Sequence, residues 1–411
     1  MIIPSQQALF AIPEGTTYLN CANMSPLMRK VEEAGIQSIM QRRQPWTIGA
    51  DQWFEPGERL RDLFAGLIGA GKDQVALVPS VSYGIAIARN NIKLEAGESI
   101  IVLDQEYPSN LYAWRELSKE TGAVLVTVKR PTDTSERSGR PERQTGTSKR
   151  LEGAEISGPP ERTSGTSWTE AVLAAIDDNT GLVAISNCHW TDGSLIDLEQ
   201  VSQKVRSVGA RLVVDASQSL GAYPLDVRRI KPDFLVTVGY KWLMGPYNLA
   251  YLYADEKYFP DGRPIEHSWM VRSGSDDFTR LVEYTDLYKT GARRFDAGEF
   301  SSFIHVAMAT AALEQINAWG VDNIQDSLSV ITNHIGVLAE EMGLEAPVTG
   351  DRVGHMIGIR MGGEKLDVVR KVLTENNIYL SFRGSSMRVA PHLYNDEQDV
   401  QRLFDVLAAA L

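Results

Sequence analysis

The sequence predicts an α/β fold: a large domain with a mixed, mostly parallel seven-stranded sheet between helices, and a smaller α+β C-terminal domain. Three observations predict it. Seven short apolar runs occur at 75–78, 99–103, 123–128, 182–186, 212–214, 234–238 and 249–253. Helical patterns separate many of them. After about Ala292 the rhythm changes to longer helix-like stretches with short strands between them.

The seven runs are continuously apolar rather than alternating, as in a mostly parallel sheet covered on both faces. At 197–208, Leu198, Val201, Val205 and Val208 fall on one helical face, and Asp197 with Gln200 offers a capping box. Strands alternating with such helices indicate an α/β domain. Residues 129–167 break the pattern with Ser, Thr, Gly, Pro, Arg and Glu and almost no large apolar residue. That composition cannot build a core and reads as a flexible surface insertion. Beyond it, 302–319 and 326–342 read as helices, 356–360 and 387–389 as strands, and 397–411 as an amphipathic helix. The division is a large domain over 16–315 and a small domain made of 1–15 and 316–411.

Composition bounds the function. A net charge of −12 over 411 residues argues against non-specific nucleic-acid binding, which needs a basic surface. Two cysteines, Cys21 and Cys188, exclude a disulfide scaffold, and no CxxC pair suggests zinc. The opening residues lack a signal-peptide pattern, and no apolar stretch approaches the roughly 18–20 residues of a membrane span. The expectation is a cytoplasmic protein with no membrane partner and no metal.

In an open α/β sheet, ligands sit beyond the carboxyl ends of the strands. Asp215 ends the apolar run in VVDASQS, with Gln218 shortly after. A buried acid needs a cationic partner, and a protonated pyridine nitrogen is one; a helix N-cap is the structural alternative. Gln218 could donate to a ring hydroxyl. Lys241, in VGYKWLMGP, lies between two apolar runs, where its ammonium form is disfavoured and its amine becomes a nucleophile or base. In PSVSYGIA a helix begins about Gly84, and its free N–H groups with the Ser82 hydroxyl make an anion site. Together these residues suit pyridoxal 5′-phosphate, bound as a Schiff base on Lys241.

The GYKW loop, the DASQ some two dozen residues earlier and the serine-bearing first loop resemble the class V aminotransferase branch of fold-type I pyridoxal-phosphate enzymes. That branch includes aminotransferases, cysteine desulfurases, kynureninase and isopenicillin N epimerase. The resemblance extends from TYLNCANMSP to MRVAPHLYN. It implies that Lys241 carries the cofactor and moves a proton at the substrate α-carbon, that Asp215 meets the ring nitrogen, and that Gln218 and Asn187 approach the ring oxygen. It implies that Val81, through its backbone, and Ser82 hold the phosphate, joined by Tyr240, and that Tyr107 stacks on the ring. Arg388 resembles the arginine that grips a substrate carboxylate, while Asn20 and Cys21 border the substrate pocket. His189, two residues from Asn187, is a further candidate for substrate contact. The resemblance also implies a homodimer with its sites at the interface.

Departures narrow the chemistry. Cysteine desulfurases carry a nucleophilic cysteine shortly before the C-terminal arginine, and residues 379–387 contain none. Where family members often have Gly-Thr-Pro, with the threonine reaching a partner's phosphate, this chain has Gly298, Glu299 and Phe300, leaving Ser301 or Ser302 as substitutes. A serine found in some members three residues before the lysine is Val238 here. The expected activity is aminotransferase-like chemistry on an amino acid; a PLP-dependent epimerase, a C–S or C–C lyase, or a catalytically silent cofactor-binding protein are the alternatives. A nicotinamide enzyme lacks support, because no GxGxxG follows a first strand.

Overall fold

In the computed structural model, residues 1–131, 161–162 and 167–411 are described. The expected insertion at 129–167 therefore lies almost wholly outside the described residues. A short strand, β1 (Thr17–Tyr18), precedes the main sheet. The sheet contains β2 (Val75–Val78), β3 (Ser99–Leu103), β4 (Val124–Val128), β5 (Glu161–Arg162), β6 (Thr180–Ser186), β7 (Arg211–Asp215), β8 (Phe234–Val238) and β9 (Ala250–Ala254). Their order is β2-β9-β8-β7-β6-β3-β4-β5. Seven of these are the predicted strands, within about a residue at most ends; the two-residue β5 is added at one edge.

Only β9 runs against the others, pairing antiparallel with both β2 and β8. The carboxyl ends of β2, β3, β6, β7 and β8 consequently share one edge with the amino end of β9. The strands alternate their side chains between two cores. Leu77, Ile101, Ile185 and Val214 face one helical layer, while Ala76, Val102, Ala184 and Val213 face the other. Burial on both faces explains why these strands read as continuous apolar runs.

The helix Leu198–Ser207 begins at Asp197, whose carboxylate accepts from the N–H groups of Glu199 and Gln200. Gln200 completes the cap differently from the expected box, donating its side-chain amide to Asp197 Oδ2 at 2.8 Å. The helix Phe303–Trp319 packs on the large domain, and Val321–Glu341 runs from it into the small one, starting five residues before the predicted helix. There β10 (Ile357–Arg360), β12 (Ser381–Arg383) and β13 (Ser386–Val389) form an antiparallel sheet, order β10-β13-β12, while β11 (Ile378–Tyr379) pairs in parallel with β1. Leu19 belongs to this third core with Ile357, Val389 and Leu403, so the N-terminal arm is part of the small domain's packing. Among the described residues, no helix is long and apolar enough to cross a membrane.

Candidate active site

One cleft opens at the shared strand edge. The helix after β2 starts at Val81, three residues earlier than expected, with Ser80 as its N-cap accepting from the Tyr83 N–H. Ser80, Val81 and Ser82 line the cleft from that side. Glu106 and Tyr107 follow β3, Ser186 ends β6 and Asp215 ends β7. Ser186 is the direct register partner of Asp215. Tyr240 and Lys241 follow β8, and Asn248 and Leu249 lead into β9.

Lys241 sits on a tight loop. Gly239 N–H donates to Leu249 O and Gly245 N–H to Gly239 O, each at 2.8 Å, which closes the loop on itself. The loop after β7 packs directly against it. Gly221 has φ +104°, and a Cβ there would stand 2.5 Å from the Trp242 carbonyl oxygen, so only glycine permits the approach. Trp242 Nε1 donates to Gln218 Oε1 at 3.1 Å, tying the lysine loop to the Asp215 loop. The small domain braces both: His355 Nε2 donates to Gln218 O at 2.7 Å, and its ring packs on Trp242. Burial lowers His355 to about 4, so it is a neutral donor at pH 7.

Lys241 is only 6% exposed. Burial lowers its ammonium to about 8, with Asp215 opposing the drop. Its Nζ stands 5.4 Å from the Tyr107 ring centroid and 6.0 Å from that of Tyr240. Burial raises the Asp215 carboxyl, against the Ser217 donors and the Lys241 charge. The Ser217 N–H donates to Asp215 Oδ1 at 2.9 Å. The cleft thus brings together a partly deprotonated amine, a buried acid and a helix start bearing serines. Ser186 Oγ in its lining is buried and has no hydrogen-bond partner. Such a donor set fits an anionic aromatic aldehyde with a basic ring nitrogen.

Seven expected site residues line this cleft: Val81, Ser82, Tyr107, Asp215, Gln218, Tyr240 and Lys241. Gln218 has its amide engaged, donating Nε2 to Ala22 O at 2.9 Å. Five others lie elsewhere. Asn187 is turned away: the two-residue period puts Ser186 on the Asp215 face, and Asn187 Oδ1 accepts from Ser219 Oγ at 2.6 Å. Its place in the cleft is taken by Ser186. His189 does not line the cleft. It is fully buried, stacks on Trp168, contacts Arg130 and Thr191 through Nδ1, and meets the Asp104 carbonyl through Nε2. Burial and then the Arg130 charge lower it to about 4.

Asn20 accepts from Ser381 Oγ at 2.5 Å and borders a separate groove beside β11 and β12. Cys21 is buried with Sγ 3.8 Å from the Lys241 carbonyl, behind the lysine loop, and burial holds its thiol protonated. Arg388, on β13, is buried and lies behind Trp190, whose carbonyl accepts from its Nη1 at 2.7 Å. Its other hydrogen-bond partner is Ser381 Oγ, also neutral, and its Nε has none. Glu299 adopts φ +59°, Phe300 packs under Arg61, and Ser302 caps the helix Phe303–Trp319, so this turn is organised for packing within the chain.

Glu106, Trp190 and Tyr247 are lining residues to which the sequence reading gave no role. Glu106 carried a partial signal: it is an acid in the loop that leaves the carboxyl end of an apolar strand. Trp190 and Tyr247 carried none, because their strand-edge position depends on loop paths.

The family described as Aminotransferase class-V matches residues 50–138 and 146–403. The chain is 27% identical to the "Uncharacterized aminotransferase YcbU" of Bacillus subtilis, over 99% of this chain and 98% of the relative. It is 23% identical to the isopenicillin N epimerase of Amycolatopsis lactamdurans, over 97% and 96% of the two chains. Its fold is similar to the apo cysteine desulfurase of Thermococcus onnurineus, with a TM-score of 0.78, 18% identity, and coverage of 100% and 99%.

Proposed function

We propose, on the premise that this chain belongs to the aminotransferase class-V family, that it is a pyridoxal 5′-phosphate enzyme that transfers the amino group of an amino acid. The observation that carries this reading is the pairing of buried Lys241 with buried Asp215 at one strand edge, facing a serine-bearing helix start.

Pyridoxal 5′-phosphate supplies a carbonyl that captures amines and a ring that takes up carbanion charge. The chain's residues divide the remaining work. Ser80, Ser82 and the first N–H groups of the helix Val81–Asn91 bind the phosphate. Asp215, buried and favoured as the anion by the Ser217 donors and Lys241, would provide the negative charge that keeps a ring nitrogen protonated. Tyr107 covers one ring face. Lys241 would hold the cofactor and move the proton at the substrate α-carbon; its lowered ammonium suits a base that works near neutral pH. Arg388 receives the substrate carboxylate, for its buried guanidinium has only neutral hydrogen-bond partners and an unused Nε. Residues 379–387 contain no cysteine, which weighs against the desulfurase alternative.

The working form is proposed to be a homodimer. Trp46, Val282, Leu287 and Tyr284 are 71–97% exposed, large apolar side chains that a partner subunit would cover. The test of the activity is a panel of amino acids incubated with the purified, cofactor-loaded chain, with keto-acid products identified by mass. A keto acid formed from at least one amino acid supports transamination; racemised substrate or released ammonia without it would shift the assignment to another reaction.

A further inference from the structure

The cleft contains a second carboxyl group that none of these roles uses. Glu106 stands three residues beyond β3, and Asp215 ends β7, so both acids occupy the same sheet edge. Glu106 is 5% exposed. Its Oε1 accepts from the Tyr107 N–H at 2.7 Å, and its Oε2 has no hydrogen-bond partner. The charged group acting on it is Asp215, and that interaction is repulsive. The other titratable groups of the lining are Lys241, Tyr107, Tyr240, Tyr247 and Cys188. Two carboxyls that share a desolvated site do not both ionise readily.

Resting on the cofactor reading of this cleft, we infer that Glu106 is a positioning residue that keeps its proton, so that the Glu106–Asp215 pair offers a single negative charge, located on Asp215. The division follows from their surroundings. Asp215 has the Ser217 donors and Lys241 to favour its ionised form. Glu106 has the Tyr107 N–H and, more weakly, Asn110 and the Ser186 N–H as donors, but no cation among them and the Asp215 charge against it; burial, then Asp215, push it up to about 8. With Oε1 occupied as an acceptor, Oε2 is left to carry the proton. Glu106 thereby matches the cleft's negative charge to one protonated ring nitrogen and, through the Tyr107 N–H, fixes the backbone that presents the Tyr107 ring.

The test is the stability of the full chain without added cofactor, measured by urea unfolding from about pH 5 to 9. An acid whose value is raised by folding causes a loss of stability as pH climbs from its unfolded value, about 4.3, to its folded value, about 8; above that the contribution is level. The wild-type curve is therefore expected to fall across this window relative to Glu106→Gln. In Asp215→Asn the fall should end at lower pH, because the repelling charge is gone. Superimposable curves for wild type and Glu106→Gln overturn the inference. So does a fall that ends at the same pH in Asp215→Asn, which would leave burial as its sole cause. If Glu106→Gln does not fold, the infrared carbonyl band of a protonated carboxyl in the wild type decides instead: its absence at pH 7 overturns the inference. Adding pyridoxal phosphate to wild type separates this from the cofactor reading: absence of a lysine-linked absorbance band defeats that reading, whereas a band with unchanged pH curves defeats only the carboxyl pair.

Discussion

Lys241 Nζ lies 5.4 Å from the centroid of the Tyr107 ring, which also meets Trp190 edge-on at 5.4 Å. The aromatic ring therefore covers the space above the lysine that an attached cofactor would occupy. Ring stacking of this kind is worth about 0.5–1.5 kcal/mol. Tyr107→Ala should weaken pyridoxal-phosphate retention roughly two- to tenfold, and Tyr107→Phe should leave it nearly intact. Equilibrium dialysis of both variants checks this.

Lys241 reacts as the free amine, and burial brings that form within reach of neutral pH. The rate at which cofactor-free protein captures pyridoxal phosphate should climb with pH and level off above about 8. In Asp215→Asn the plateau should begin at lower pH, since Asp215 is the group that stabilises the ammonium. Stopped-flow absorbance across pH 6 to 9 would show a rate still climbing at pH 9, with no plateau, if Lys241 were an ordinary exposed lysine.

Arg388 is the proposed carboxylate ligand, and hydrogen bonds to a charged partner contribute about 1.5–3 kcal/mol. Arg388→Ala should lower kcat/KM by roughly ten- to a hundredfold, mostly through KM. Arg388→Lys should recover little, because a single ammonium cannot reproduce the planar fork. Steady-state kinetics of both variants, once a substrate is in hand, distinguish this from a purely structural arginine, whose loss would appear in the melting temperature instead.

A buried ion pair anchors the first strand of the site. Arg61 donates to Asp296 through Nη1 at 2.8 Å and Nη2 at 2.5 Å, and Leu77 N–H donates to Asp296 Oδ1 at 2.8 Å. Both side chains are essentially inaccessible. Asp296→Ala should destabilise the chain by about 3–5 kcal/mol, because it strips the buried Arg61 Nη1 and Nη2 of their carboxylate and leaves the guanidinium only Glu58, on Nε, as an anionic partner. The double variant Arg61→Met with Asp296→Ala should be less destabilised than Asp296→Ala alone, as read from urea midpoints.

The sheet was legible because its strands are buried on both faces, so each registers as an unbroken apolar run. Lys241 and Asp215 were legible for the same reason: polar residues at the ends of such runs have few structural explanations. Asn187 and His189 lie outside the cleft lining although their motif positions point to it, because motif position ignores side-chain direction. One residue past β6, Asn187 turns toward Ser219 while Ser186 shares the Asp215 face. His189 belongs to a packed cluster with Trp168, Arg130 and Thr191, brought together from segments far apart in sequence. Glu106 was overlooked beside the more conspicuous tyrosine that follows it, although the reasoning applied to Asp215 reaches it in part. The bracing of the lysine loop by His355 depends on how the small domain packs, which no local pattern encodes.

The central claim is that Lys241 carries the cofactor. The chain loaded with pyridoxal phosphate, reduced with borohydride and digested, should yield one modified peptide, with the added mass on Lys241 and an absorbance that survives denaturation. Lys241→Ala should yield none. A modified peptide centred on another lysine, or the same visible band in Lys241→Ala protein, would contradict the account.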